Sequence, residues 1–172
     1  EICFIPGGDY HSFLMERVSP HPCDVVASRG NVLGSHQGIE YFTVGQRRGL
    51  GIASGGQRYV RGVDALRHQV IVGTAEDLLQ DTLWASQVSY PAGIPQGPVE
   101  VKAKIRYKAP EVPATLYPQG NEALIHFRQP QRAITPGQAV AFYQGDELLG
   151  GGIIEGVGVS AGDETQRAVL AS

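Results

Sequence analysis

The chain has 172 residues, of which 42% are hydrophobic and 18% charged, and a net charge of −3. That length suits one compact domain or two small ones, and the balance is that of a folded globular chain rather than one held open by charge. No apolar run approaches the roughly 20 residues of a membrane span, and no basic-then-apolar leader opens the chain, so a cytoplasmic protein without a membrane partner is expected. The sequence starts at Glu1 with the strand-like Glu1-Ile2-Cys3-Phe4-Ile5 and no initiator Met, which reads as part of a longer polypeptide.

The net charge alone argues against a nucleic-acid binder, but its distribution does not. Residues 47–108 hold nine Lys/Arg against five Asp/Glu. Such asymmetry fits one side turned toward a polyanion, with an ordinary solvated charged face as the plain alternative. The two cysteines, Cys3 and Cys23, are too few for a disulfide scaffold and are expected reduced.

In chain order, Asp9 is placed to N-cap a short helix running through about Arg17, since Tyr10, Phe13, Leu14 and Val18 recur at helical spacing. Pro20-His21-Pro22 ends it. From Asp24 the pattern turns to short β-runs between turn signals: DVVA, NVLG, YFTVG, RYVRGV and QVIVG. Thr74 is expected to cap a single helical turn in TAEDLLQ, after which Trp84 opens a second β-series. There VEVKAKIRYK alternates strictly, with Val99, Val101, Ala103, Ile105 and Tyr107 on a packed face and Lys102, Lys104, Arg106 and Lys108 in a basic row. Strands are also expected at ATLYP, EALIHF, QAVAFYQ and LLGGGIIEG. The fold class is therefore mainly β: a small central β-rich domain with a short helix, then a C-terminal six-stranded β-barrel.

Few residues point to chemistry by pattern alone. Cys3 lies before a Pro-Gly-Gly turn, but no cation, helix N-terminus or base stands beside it in sequence, and read bare it is a structural thiol, as is Cys23. The five histidines show no metal-ligand spacing. Gly150-Gly151-Gly152 follows a strand without a helix or Lys-Ser/Thr behind it, so a bulge or close backbone approach is expected rather than a phosphate loop. Thr43 to Ala53, TVGQRRGLGIA, is the most unusual stretch. Its glycines let Gln46, Arg47 and Arg48 project from a loop, an arrangement suited to phosphates and base edges, while an exposed basic turn explains it equally well.

The motifs ICFIP, YFTVGQRRGLGIA, KIRY and ITPGQAVAFYQGDELLGGGIIE stand in an order and spacing that resemble the tRNA-specific 2-thiouridylase family, from residue 1 to about Glu155. The resemblance implies a three-part enzyme in which residues 1–17 end the catalytic domain, 18–76 form the central domain, 80–158 form a tRNA-binding β-barrel and 159–172 are a flexible tail. It implies a persulfide on Cys3 as the catalytic group, whose sulfur attacks the adenylated C2 of the wobble uridine before an upstream Cys forms a disulfide that releases the product. It implies tRNA contacts at Arg106, Tyr107 and Gln138, to which the loop adds Gln46, Arg47 and Arg48 and the basic row adds Lys102 and Lys104. No cofactor or metal is implied in this stretch; ATP with Mg belongs to the missing N-terminal PP-loop domain. The implied partners are tRNA with a wobble uridine, such as the Lys, Glu and Gln isoacceptors, and a sulfur-delivery protein or cysteine desulfurase. The sequence departs from the family around Gly55 to Tyr59, where many members carry Pro-Trp before the Tyr-Val strand. A non-catalytic β-barrel that binds RNA, with Cys3 structural, is the alternative; a Cys hydrolase lacks a recognisable His-acid pair. As a surface charge in the basic row, Arg106 is expected to be replaceable by Ala with little change in melting temperature.

Overall fold

The computed structural model describes residues 10–52 and 56–158. Cys3, the Asp9 cap and the segment expected to be a flexible tail lie outside the described residues. The chain divides into two compact units between Leu78 and Leu79.

The first unit begins with the helix α1 (Tyr10–Met15), shorter than the run to Arg17 that the spacing implies. Arg17 instead closes its end, Nη1 donating to the Phe13 carbonyl at 3.1 Å while the guanidinium lies 3.8 Å from the Phe13 ring centroid. Four strands follow: β1 (Cys23–Ala27), β2 (Val32–His36), β3 (Tyr59–Asp64) and β4 (Gln69–Gly73). They form one sheet in the order β2-β1-β4-β3, with β1 parallel to β4 and the other neighbours antiparallel. Val25, Val60 and Val70 are fully buried on it.

The expected YFTVG strand is absent. A 3-10 turn, Ile39–Tyr41, stands there, and the adjacent Tyr41 and Phe42 are both buried. Successive side chains of a strand point to opposite faces, so two neighbours cannot both enter the core of a sheet packed on one side. The helical turn in TAEDLLQ is a 3-10 turn, Glu76–Leu78, and its cap runs opposite to the expected one. Thr74 does not accept; its N–H and hydroxyl donate to Asp77 Oδ2 at 2.7 and 3.2 Å.

The second unit is a closed six-stranded barrel. Its strands are β5 (Leu79–Ser89), β6 (Val99–Lys104), β7 (Val112–Gln119), β8 (Glu122–Arg132), β9 (Ala139–Gln144) and β10 (Glu147–Val157). They close in the order β10-β5-β8-β7-β6-β9. The first of them begins at Leu79, ahead of Trp84. Ala85, Ala103 and Ala114 alternate inside with Leu116, Phe127 and Phe142, small and large residues together filling a narrow interior.

Gly150 to Gly152 lie in β10, whose pairing shifts register at both Leu148/Gly150 and Gly151/Ile153. A Cβ on Gly152 would stand 2.6 Å from the Ser86 carbonyl oxygen and one on Gly151 2.7 Å from that of Val140. The glycines serve close strand approach, as the sequence implies, and do not form a phosphate loop. The ten-residue alternation from Val99 is cut short: β6 ends at Lys104, Ile105 is still buried, and a turn follows in which the Ala109 N–H donates to the Arg106 carbonyl at 3.1 Å. Tyr107, expected on the packed face, is 92% exposed.

Candidate nucleic-acid interface

Each unit places some of the singled-out residues together. In the first, Phe42 and Leu50 are both buried and anchor the two ends of the intervening loop. Between them, the Gly45 N–H donates to the Val60 carbonyl at 2.8 Å and the Val60 N–H to the Gln46 carbonyl at 2.9 Å, which fixes the loop to β3. The Gln46 side chain turns inward. Its Oε1 accepts from the Thr43 N–H at 3.0 Å and its Nε2 donates to the Arg48 carbonyl at 3.0 Å. The expectation that this amide projects alongside two guanidiniums is thus corrected, because loop backbone outside a strand ladder still needs hydrogen-bond partners and Gln46 supplies them. Arg47 and Arg48 remain exposed.

Gly49 and Gly51 follow at φ +71° and +65°, left-handed conformations that a side chain would strain. They border an open groove of about 380 Å³. Its polar lining is Arg47, Gln57 and Arg58 with the backbone of Gly49, Gly51 and Gly56; Leu50 and Ile52 are its apolar part. Among the described residues no carboxylate lines it. Arg58 is half-buried, and its Nε is enclosed without a hydrogen-bond partner among the described residues. One acid interacts with Arg58 through its charge: Asp77, whose carboxyl is held below the usual carboxylate range by the Thr74 N–H first and, less strongly, by Arg61 and Arg58. Sequence reasoning missed Arg58 as a site residue. Its signals were its place among the nine basic residues of 47–108 and in the stretch that departs from Pro-Trp.

The second place is one end of the barrel. The register of β6 with β9 pairs Lys102 with Tyr143 and Lys104 with Ala141, so the residues just past β6, Arg106 and Tyr107, lie at the end where Gln138 leads into β9. Arg106 is turned onto the protein: its Nη2 donates to the carbonyls of Arg132 at 3.0 Å and Ala133 at 2.7 Å. Ala133 has φ +53°, uncommon for a residue with a Cβ, and the two charge-assisted hydrogen bonds help hold that bend. The expected basic row is therefore reduced. Lys102 is exposed and Lys104 half-buried on the strand, but Arg106 is bent away into these bonds. Beside the lysines, Glu100 accepts from Thr115 Oγ1 at 2.8 Å and from Arg128 at 2.6 Å, which hold its carboxyl below the usual range. Gln138 is exposed while its backbone is fixed: the Ile154 N–H donates to its carbonyl at 2.8 Å.

Cys23 lies in β1 at 3% exposure, and burial above all pushes its thiol up, so it is a neutral core thiol and not a poised nucleophile. Among the described residues no group of three His, Cys, Asp or Glu is placed to hold a metal ion, and no helix is long and apolar enough to cross a membrane.

A four-stranded sheet unit followed by a closed six-stranded barrel, each leaving cationic or aromatic groups open to solvent, defines a two-domain β protein with candidate nucleic-acid-binding faces. Residues 11–74 match the family described as tRNA methyl transferase PRC-barrel domain, and residues 80–154 the aminomethyltransferase beta-barrel domain. The chain is 47% identical over 163 residues to the tRNA-specific 2-thiouridylase MnmA of Moorella thermoacetica, covering 91% of this chain and 45% of that protein. The protein of the same name from Geobacter metallireducens is 48% identical over 158 residues, covering 90% and 43%. The chain belongs to the tRNA-specific 2-thiouridylase family, and it spans less than half the length of these relatives.

Proposed function

We propose that this chain is the tRNA-gripping part of an ATP-dependent tRNA-uridine 2-sulfurtransferase and supplies its persulfide-bearing Cys3. The observation that carries the reading is the 47% identity to a tRNA-specific 2-thiouridylase across nine-tenths of the chain, both domains included. The open faces support it: Arg47 and Arg48 on one unit, and Lys102, exposed Tyr107 and Gln138 on the other, are the residue types that hold RNA backbone and stack on bases.

ATP would supply the activation of the uridine C2–O bond through residues outside this chain. The terminal sulfur of the Cys3 persulfide then forms a bond to C2 as the C–O bond to the adenylate breaks. A second thiolate attacks the Cys3 sulfur, so that a protein disulfide forms and the new 2-thio group leaves with the electron pair of the broken S–S bond. An external thiol reductant returns both cysteines for the next cycle. Both a tRNA substrate and this thiol chemistry suit the reducing cytoplasm.

The test is sulfur transfer by the full-length protein with a cysteine desulfurase, ATP and tRNA of the Lys, Glu or Gln type. Cys3→Ser is expected to abolish 2-thiouridine formation, and mass spectrometry is expected to find one added sulfur on the Cys3 peptide. Thiolation that survives Cys3→Ser, or added sulfur only on the Cys23 peptide, overturns the assignment. The 172-residue chain alone is expected to form no thiouridine.

A further inference from the structure

The groove beside the Gly49–Gly51 bend is unexplained by the folding of the first unit. It is concave, about 380 Å³ in volume, and bordered by two guanidiniums with no carboxylate in its lining among the described residues. Neither Arg47 nor Arg58 takes part in a salt bridge among the described residues. The Arg58 Nε is enclosed and lacks an acceptor among the described residues, an arrangement that costs stability. A Cβ on Gly49 would meet only the Gln46 amide nitrogen at 3.9 Å, so a ligand can approach the backbone there. Two cations that form no salt bridge, with accessible backbone at Gly49, together describe an anion receptor. A phosphodiester is the anion that fits, since guanidinium forks match its paired oxygens and glycine backbone admits close approach.

Resting on the reading of this chain as part of a tRNA-modifying enzyme, we infer that Arg47 and Arg58 grip one backbone phosphate of the bound tRNA in this groove, with Arg58 as the inner contact. The site narrows the open face on which Arg47 was placed to a concave groove that takes a single phosphate by hydrogen bonding. Exposed Arg48, which does not line the groove, is outside the site.

The test measures tRNA affinity of the full-length protein across a series of salt concentrations for wild type, Arg47→Met, Arg58→Met, the double variant, Arg58→Lys and, as the control, Arg29→Met at an exposed arginine outside the groove. Loss of one phosphate contact is expected to flatten the slope of log K against log salt by roughly 0.7 to 0.9 in either groove variant. The double variant is expected to lose little more than a single one, because both arginines hold the same phosphate, and Arg58→Lys is expected to recover most of the slope. Circular dichroism and melting curves confirm that each variant is folded. If wild type binds tRNA and both groove variants keep its slope, the groove assignment falls while the enzyme reading stands. If wild type binds no tRNA, both fall. Titration with inorganic phosphate separates the sources: Arg58-dependent phosphate binding with unchanged tRNA slopes makes the groove a small-anion site and overturns the assignment to tRNA.

Discussion

The loop of the first unit and the barrel end of the second solve the same problem with different side chains. In the loop, Gln46 satisfies the Thr43 N–H and the Arg48 carbonyl, and Arg47 and Arg48 are left exposed. At the barrel end, Arg106 satisfies the carbonyls of Arg132 and Ala133, and Tyr107 is left exposed. In both, one polar residue of the motif holds backbone so that its neighbour is presented. They differ in shape and in what is presented: a cationic groove in one, a protruding aromatic ring in the other. A motif names both residues alike, and only the hydrogen bonds separate the holder from the presented group.

The largest expected effect breaks that comparison at the barrel end. Arg106→Ala removes two hydrogen bonds from a charged donor, and the carbonyls that lose it flank the bend at Ala133. Such bonds contribute about 1.5 to 3 kcal/mol each when enclosed; with the side chain largely in solvent, the pair is expected to stabilise the chain by about 1 to 2 kcal/mol. This reverses the expectation, drawn from the alternating pattern, that Arg106→Ala leaves the melting temperature nearly unchanged. Tyr107→Ala is the counterpart. At 92% exposure it is expected to change stability by less than about 0.5 kcal/mol, yet to weaken tRNA binding by about 1 to 3 kcal/mol if one base stacks on the ring. Urea denaturation and tRNA affinity on the same two variants check both. Equal stability for the two would remove the distinction between holder and presented group.

Next in size is Gln46→Ala. The two bonds it loses are local and exposed, so the expected cost is about 0.5 to 1.5 kcal/mol, felt in the loop more than in the sheet. Amide exchange is the sharper measurement: the Thr43 N–H is expected to lose protection while Val60, whose N–H donates to the Gln46 backbone carbonyl, keeps more of its own. Unchanged exchange at Thr43 would mean that the side chain does not hold the loop.

The barrel was legible in the sequence because its signals are local. Val99, Val101 and Ala103 alternate with Glu100, Lys102 and Lys104, and Gly120, Gly137 and Gly145 mark turns between strands, so six strands could be counted. The misreadings of Arg106 and YFTVG share one physical origin, which is contact between residues far apart in the chain, whereas those of Gln46 and Thr74 turn on which way a local side chain bonds. Nothing near Arg106 announces the carbonyls of Arg132 and Ala133, and the alternation through Tyr107 continues on paper past the point where pairing ends. YFTVG has β-branched and aromatic residues in strand proportion, yet Tyr41 and Phe42 are both taken into the core by strands β1 and β4. Arg58 was invisible for the same reason: its place in a groove with Arg47 depends on the return of the chain from Gly51 into β3.

The smallest expected effect concerns the acid beside the groove. Asp77 accepts from the N–H and hydroxyl of Thr74, and the N–H is the main cause of its lowered pKa. A carboxyl whose folded pKa lies below its unfolded one binds its proton more readily in the unfolded chain. Its contribution to stability is therefore fully present above the ordinary aspartate range near 3.9 and is lost as pH falls through the lower, folded value. Asp77→Asn is expected to flatten this acid limb in urea denaturation series and to leave stability above it only slightly lower, since the amide oxygen can still accept from Thr74. The same change removes the negative charge felt by Arg58 and Arg61, so tRNA affinity is expected to rise slightly at low salt and to match wild type at high salt, where charges are screened. Glu100, which is held low by Thr115 and Arg128 on the barrel, serves as the comparison. Glu100→Gln is expected to flatten its own acid limb without touching the affinity set by the groove. If Asp77→Asn and Glu100→Gln shift tRNA affinity equally, the effect is general charge and the groove is not where the phosphate sits.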